Sequence, residues 1–120
     1  MRKVSSILVV VALLAIPLNL CAKRVAPQPV NPVVSGNIKY SAHGDGRTGY
    51  VVATEVATGK ELWRAKIFHI QVKPWIEEDN QWIFISDLTL LDNALLVRDE
   101  RLRCYRVDLA TKHVKKSYCP

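Results

Sequence analysis

The stretch Ala53-Thr54-Glu55-Val56-Ala57-Thr58-Gly59-Lys60-Glu61-Leu62-Trp63 reads as a strand, a tight turn and a returning strand that ends in tryptophan. A weaker copy, Arg106-Val107-Asp108-Leu109-Ala110-Thr111-Lys112-His113-Val114-Lys115-Lys116, follows 53 positions later. A repeated supersecondary unit outranks local propensity as evidence of architecture. The pair predicts an all-β chain of two consecutive antiparallel, blade-like meanders. They would pack as a small sandwich or curved sheet, without closing into a propeller.

Working outward, Val, Ile, Tyr, Trp and Phe recur in short runs separated by turn residues. The expected strands are Asn37–His43, Gly49–Glu55, Lys60–Phe68, Gln81–Asp87, Leu88–Leu91, Ala94–Arg98, Arg101–Asp108 and His113–Ser117. The fourth and fifth can also be read as one strand with a bulge. The meanders would then run over about Asn37–Phe68 and Gln81–Ser117. All five glycines lie at or before Gly59, so the later turns must rely on Asp92-Asn93 and Asp99-Glu100, residue types that tolerate left-handed geometry. Trp63, Ala65 and Ile67 share one strand face and Arg64 and Lys66 the other. Trp82 and Phe84 alternate with Ile83 and Ile85, which predicts a central strand apolar on both faces. Trp63 and Trp82 are expected in the core, and Trp75, beside Pro74 in a connection, exposed and available to a partner.

Ala53 to Trp63 resembles the pyrroloquinoline-quinone-type repeat of quinoprotein-like β-propellers, which reads Ala-x-Asp-x-x-Thr-Gly-x-x-x-Trp. Ala53, Thr58, Gly59 and Trp63 match, and Glu55 replaces the aspartate. In the second copy Asp108 and Thr111 match, while Arg106, Lys112 and Lys116 replace alanine, glycine and tryptophan. The resemblance implies hairpins locked by acidic and threonine side chains. It implies no cofactor here, because propellers typically close with about four to eight blades and two units cannot make the ring that holds the quinone.

The N-terminus has the layout of a secretory signal. Arg2 and Lys3 precede Ile7–Leu18, an uncharged stretch of 12 residues, and Leu20-Cys21-Ala22 offers a cleavage site. The alternatives are an uncleaved anchor or a lipoprotein acylated at Cys21, the latter disfavoured by Leu20. Residues 1–22 are therefore read as signal, 23–36 (with Pro27, Pro29 and Pro32) as a flexible leader, and 37–120 as the domain. No membrane span remains after cleavage, and the location is periplasmic or secreted. Without Arg2 and Lys3, 15 of the 17 basic residues face 11 acidic ones. That excess is small and scattered, and implies no nucleic-acid binding. Export permits a Cys104–Cys119 disulfide, and the two cysteines lie symmetrically about Thr111-Lys112, facing each other across the last hairpin.

Catalytic patterns are sparse. His43 and Asp45 sit in a glycine-rich turn and are read as turn residues, since two ligands make no metal site. Gly44-x-Gly46-x-x-Gly49 matches a dinucleotide fingerprint without the helix that such a fingerprint requires. His69 and His113 read as surface residues and Glu77-Glu78-Asp79 as a solvated acidic turn. Ser35, Ser41, Ser86 and Ser117 lack a nucleophile setting. The expectation is a non-enzymatic binding or interaction module that uses no cofactor or metal. Its partner would be an unknown protein, or a second copy meeting it through sheet edges. The alternatives are a structural partial propeller completed by oligomerisation or docking, and a metal-dependent hydrolase using His43 and Asp45.

Overall fold

The computed structural model describes residues 24–120; the signal-peptide reading and Cys21 lie outside them. Eight strands form two four-stranded antiparallel meanders, with neighbours in chain order. The first contains β1 (Val33–Ser35), β2 (Ile38–Gly44), β3 (Thr48–Glu55) and β4 (Glu61–His69). The second contains β5 (Ile85–Leu90), β6 (Ala94–Asp99), β7 (Cys104–Asp108) and β8 (Val114–Ser117). Neither sheet closes on itself, and the described residues form the expected all-β pair of open meanders.

The two sheets share one core. Tyr40, Val51, Ala53 and Ile67 of the first meet Leu88, Leu95, Val97, Tyr105 and Val107 of the second. Strands β1 and β2 lie against β5, and β4 against β8, so strand order runs the same way in both sheets. The faces used are opposite. In β3 the core residues Val51 and Ala53 have the parity of Glu55, which starts its turn; in β7 Tyr105 and Val107 have the other parity from Asp108, which starts the matching turn. Side chains alternate across a strand. The sheets therefore stack face to back, not front to front.

Both outer faces are polar. The first carries Lys39, Ser41, His43, Arg64 and Lys66, and the second Asp87, Thr89, Arg98, Arg106 and Lys115. Val52 on the first face, and Ala94, Leu96 and Cys104 on the second, are nonetheless buried.

Four expectations change. Val33–Ser35, assigned to the flexible leader, pairs with β2 as a strand, and Val30 and Val33 pack on the core. Proline at 27, 29 and 32 does not prevent this, because an edge strand beginning after the last proline loses no ladder bond. Gln81–Asp87 and Leu88–Leu91 are replaced by the single strand β5, irregular between Ile85 and Asp87, as the bulge reading allowed. That strand is an edge, not the centre. Ile85 is buried in the core shared with the first sheet and Ile83 is buried just before the strand, while β6 is the strand buried on both faces. Finally, positive φ outside glycine falls on Leu102 (62°) and Lys112 (66°), not on the asparagine and aspartates of the later turns.

Candidate functional site

The β3–β4 and β7–β8 turns have one design. In the first, Thr58 Oγ1 donates to Glu55 Oε1 at 2.6 Å and accepts from Lys60 N at 3.2 Å. The Gly59 amide donates to Glu55 O at 2.7 Å with φ 75°. In the second, Asp108 Oδ1 accepts from Ala110 N at 2.8 Å and Thr111 N at 2.9 Å. The His113 amide then donates to Thr111 Oγ1 at 3.2 Å and Lys112 N to Asp108 O at 2.6 Å. Hydrogen bonds from Thr111 and Ala110 hold the Asp108 carboxyl below its ordinary range. The likeness extends to a third contact: Val56 N donates to Asn37 O at 2.8 Å, and Leu109 N to Asn93 O at 3.1 Å. These side chains are spent on shaping turns.

Trp63 is half-buried at the margin of the core, 6.0 Å from Tyr40 by ring centroids. Its inward aim depends on an irregularity between Ala53 and Thr54, where Leu62 is left over, so that Ala53 pairs with Trp63. Lys112 Nζ stands 5.7 Å from the Trp63 centroid, bringing the two repeats into contact. Trp82 is also half-buried, correcting the core assignment. It covers Gly46, where an added Cβ would meet the indole at 2.4 Å, and donates from Nε1 to Glu78 at 3.1 Å.

His43 Nε2 contacts Ser41 Oγ at 3.2 Å, while Asp45 Oδ1 accepts from the Arg47 and Thr48 amides, each at 2.9 Å. The amides of Thr48 and Arg47 hold the Asp45 carboxyl below its usual range. Among the described residues no group of three or more metal-ligating side chains converges. Of the acidic turn, Glu78 is not merely solvated. It accepts from Arg47 Nε at 2.6 Å and from Trp82, and those bonds, Arg47 first, bring its carboxyl down from 4.5 to about 2.

Sequence reasoning placed Asp99 in a turn but missed that it is fully buried. Its Oδ1 accepts from the Arg101 and Arg103 amides at 2.8 and 3.1 Å, and its Oδ2 from Arg103 Nε at 2.9 Å and Tyr105 OH at 3.3 Å. Burial, followed by the Asp99 charge, pushes the Tyr105 hydroxyl up. The legible signal was Asp45: both aspartates open the second hairpin of their sheet and cap the amide two residues on. What distinguishes Asp99 is an arginine four residues later and a tyrosine six later.

Cys104 and Cys119 lie at disulfide distance with Cα atoms 5.3 Å apart. They are not directly opposed: Cys104 pairs with Ser117, and Cys119 reaches back from beyond β8. The Asp108 cap centres the turn between Ala110 and Thr111, which moves the register by two. Trp75 is 76% exposed, as expected, with Ile76 also exposed beside it. Among the described residues no helix is long and apolar enough to cross a membrane.

The free edges meet at a cleft of ≈ 320 Å³ between β4 and β8. Phe68, Tyr105 and Val114 line its floor, and Phe68 and Tyr105 stack at 5.8 Å. His69, Arg103, Lys115 and Lys116 also line it. No family model matches the chain, and no curated protein matches it.

Proposed function

We propose that the protein is an exported, non-catalytic binding module whose sheet edges meet a protein partner. One observation carries the reading: the charged outer faces end the two-sheet stack, while the β4 and β8 edges remain unpaired among the described residues. Exposed polar and charged faces discourage further sheets from stacking, as terminal repeats do in repeat proteins. An open edge beside an apolar groove is a recurrent peptide-binding surface. The polar clusters that would serve catalysis are already engaged in turns. A disulfide between Cys104 and Cys119 suits an oxidising compartment.

Face-to-back stacking supports the second reading, a partial propeller completed by other copies or by docking, since it is the arrangement that repeated blades require. Sedimentation of the purified mature chain separates the two. A monomer is expected; a discrete ring-sized oligomer would favour propeller completion and overturn the module reading.

A further inference from the structure

We infer that the cleft between β4 and β8 receives an extended segment of a partner protein in which acidic and apolar residues alternate; this rests on the binding-module reading and names its site. The sandwich has two lateral seams. At the seam where β1 and β2 meet β5, the chain's own segment before β1 lies beside Ala42, Phe84 and Ile85, contributing Pro27, Pro29 and Val30. Arg24 fastens that segment, its guanidinium 4.9 Å from the Phe84 centroid and bonded to both Glu100 carboxylate oxygens at 2.5 and 2.6 Å. The fold thus already seats a segment of its own chain at one seam. At the opposite seam no described segment does the same.

The lining selects the occupant. The floor is apolar and aromatic, and the charged lining residues are cationic, with no carboxylate among them. Asp99 neutralises Arg103 from behind, but Lys115 and Lys116 form no ion pair among the described residues. Lys116 pairs with Tyr105, so it belongs to the core-facing side of β8 and overhangs the cleft. An extended chain presents alternate side chains to opposite sides. One set would reach Phe68, Tyr105 and Val114, and the other, if carboxylates, Lys116 at the cleft and Lys115 only around the edge of β8. Both walls are sheet edges, whose outward backbone groups can pair with the segment. A basic segment would meet like charge, and a wholly apolar one would leave Lys116 without a partner.

The test uses the mature chain and three capped peptides alternating valine with glutamate, glutamine or lysine. Amide shifts are followed by NMR as each is added. The glutamate peptide should move the Phe68, Tyr105 and Val114 signals, bind about tenfold or more tightly than the glutamine peptide, and weaken as salt screens the lysines. Lys116→Glu should abolish that preference and Lys116→Gln reduce it; Lys116 is exposed, so both variants are expected to fold. Absence of binding up to about 1 mM overturns the proposal, as does equal binding of the glutamine or lysine peptide. Shifts confined to another face would overturn the cleft but leave the module reading standing. The same signals moving with protein concentration alone would make a second copy the occupant, and would also overturn it.

Discussion

Gly59 and Lys112 occupy the same place in the two matching turns, with φ of 75° and 66°. Each amide donates to the carbonyl of the acidic residue that opens its turn, Glu55 or Asp108. One position carries the residue type the geometry favours, and the other carries a lysine in strained backbone that reaches Trp63.

That pairing sets opposite expectations for substitution. Gly59 has open space around the position of a Cβ, so only backbone strain opposes a side chain. Gly59→Ala should cost about 1 kcal/mol and Gly59→Val more. Lys112→Gly relieves strain of about 1–2 kcal/mol but loses a cation–π contact worth about 0.5–1 kcal/mol, so stability should rise by about 0–1.5 kcal/mol. Denaturant midpoints check all three. A Lys112→Gly variant clearly less stable than the parent would contradict the left-handed assignment.

Trp63→Ala should cost about 2–3 kcal/mol, below the roughly 3–5 kcal/mol of a fully buried aromatic, because the indole is only half-buried. Trp63→Phe should retain most of the packing on Tyr40. Urea unfolding of both variants measures the difference. A loss near zero for Trp63→Ala would remove Trp63 from the structural framework.

Asp99→Ala should be far more damaging than Asp45→Ala. The first leaves two backbone amides, a tyrosine hydroxyl and an arginine without their buried acceptor, which costs about 3–5 kcal/mol. The second removes an exposed turn cap, at about 1 kcal/mol. Thermal and denaturant unfolding should rank them in that order; equal losses would deny Asp99 its buried role.

Reduction should weaken the second sheet. A bond spanning 15 residues stabilises by about 3 kcal/mol in the chain-entropy model. Alkylation of the native chain should label neither Cys104 nor Cys119 without reductant. Full labelling of both would show that the bond is absent.

Acid should release the link between the β2–β3 hairpin and the connection to β5. Glu78 has its carboxyl lowered from 4.5 to about 2, chiefly by Arg47. A depressed carboxylate contributes stability that is present above its unfolded pKa and lost as pH falls through the folded one. The contribution should therefore fade between about 4.5 and 2. Glu78→Gln should remove that part of the acid dependence. Stability followed by denaturant titration across this range measures it, and an identical acid profile in the variant would refute the assignment.

The hairpins were legible in sequence because a turn is local. Glu55, Thr58 and Gly59, and then Asp108 and Thr111, satisfy their own backbone within six residues, so spacing alone announces them. Strand alternation likewise placed Ala65 and Ile67 inward, and the spacing of Cys104 and Cys119 announced their pairing though not its register. What lay beyond local reach was decided by the tertiary structure. Face-to-back stacking depends on which side of each sheet meets the other, and the shared turn residues of the two repeats do not specify that side. Val33–Ser35 is a strand because β2 offers it a partner across the ladder. Asp99 differs from Asp45 because its surroundings exclude water, and Lys112 tolerates a left-handed backbone in a turn whose amides are already bound. The cleft between β4 and β8 has no sequence signature, since Phe68, Tyr105 and Lys116 come together only when two separately coded sheets share a core.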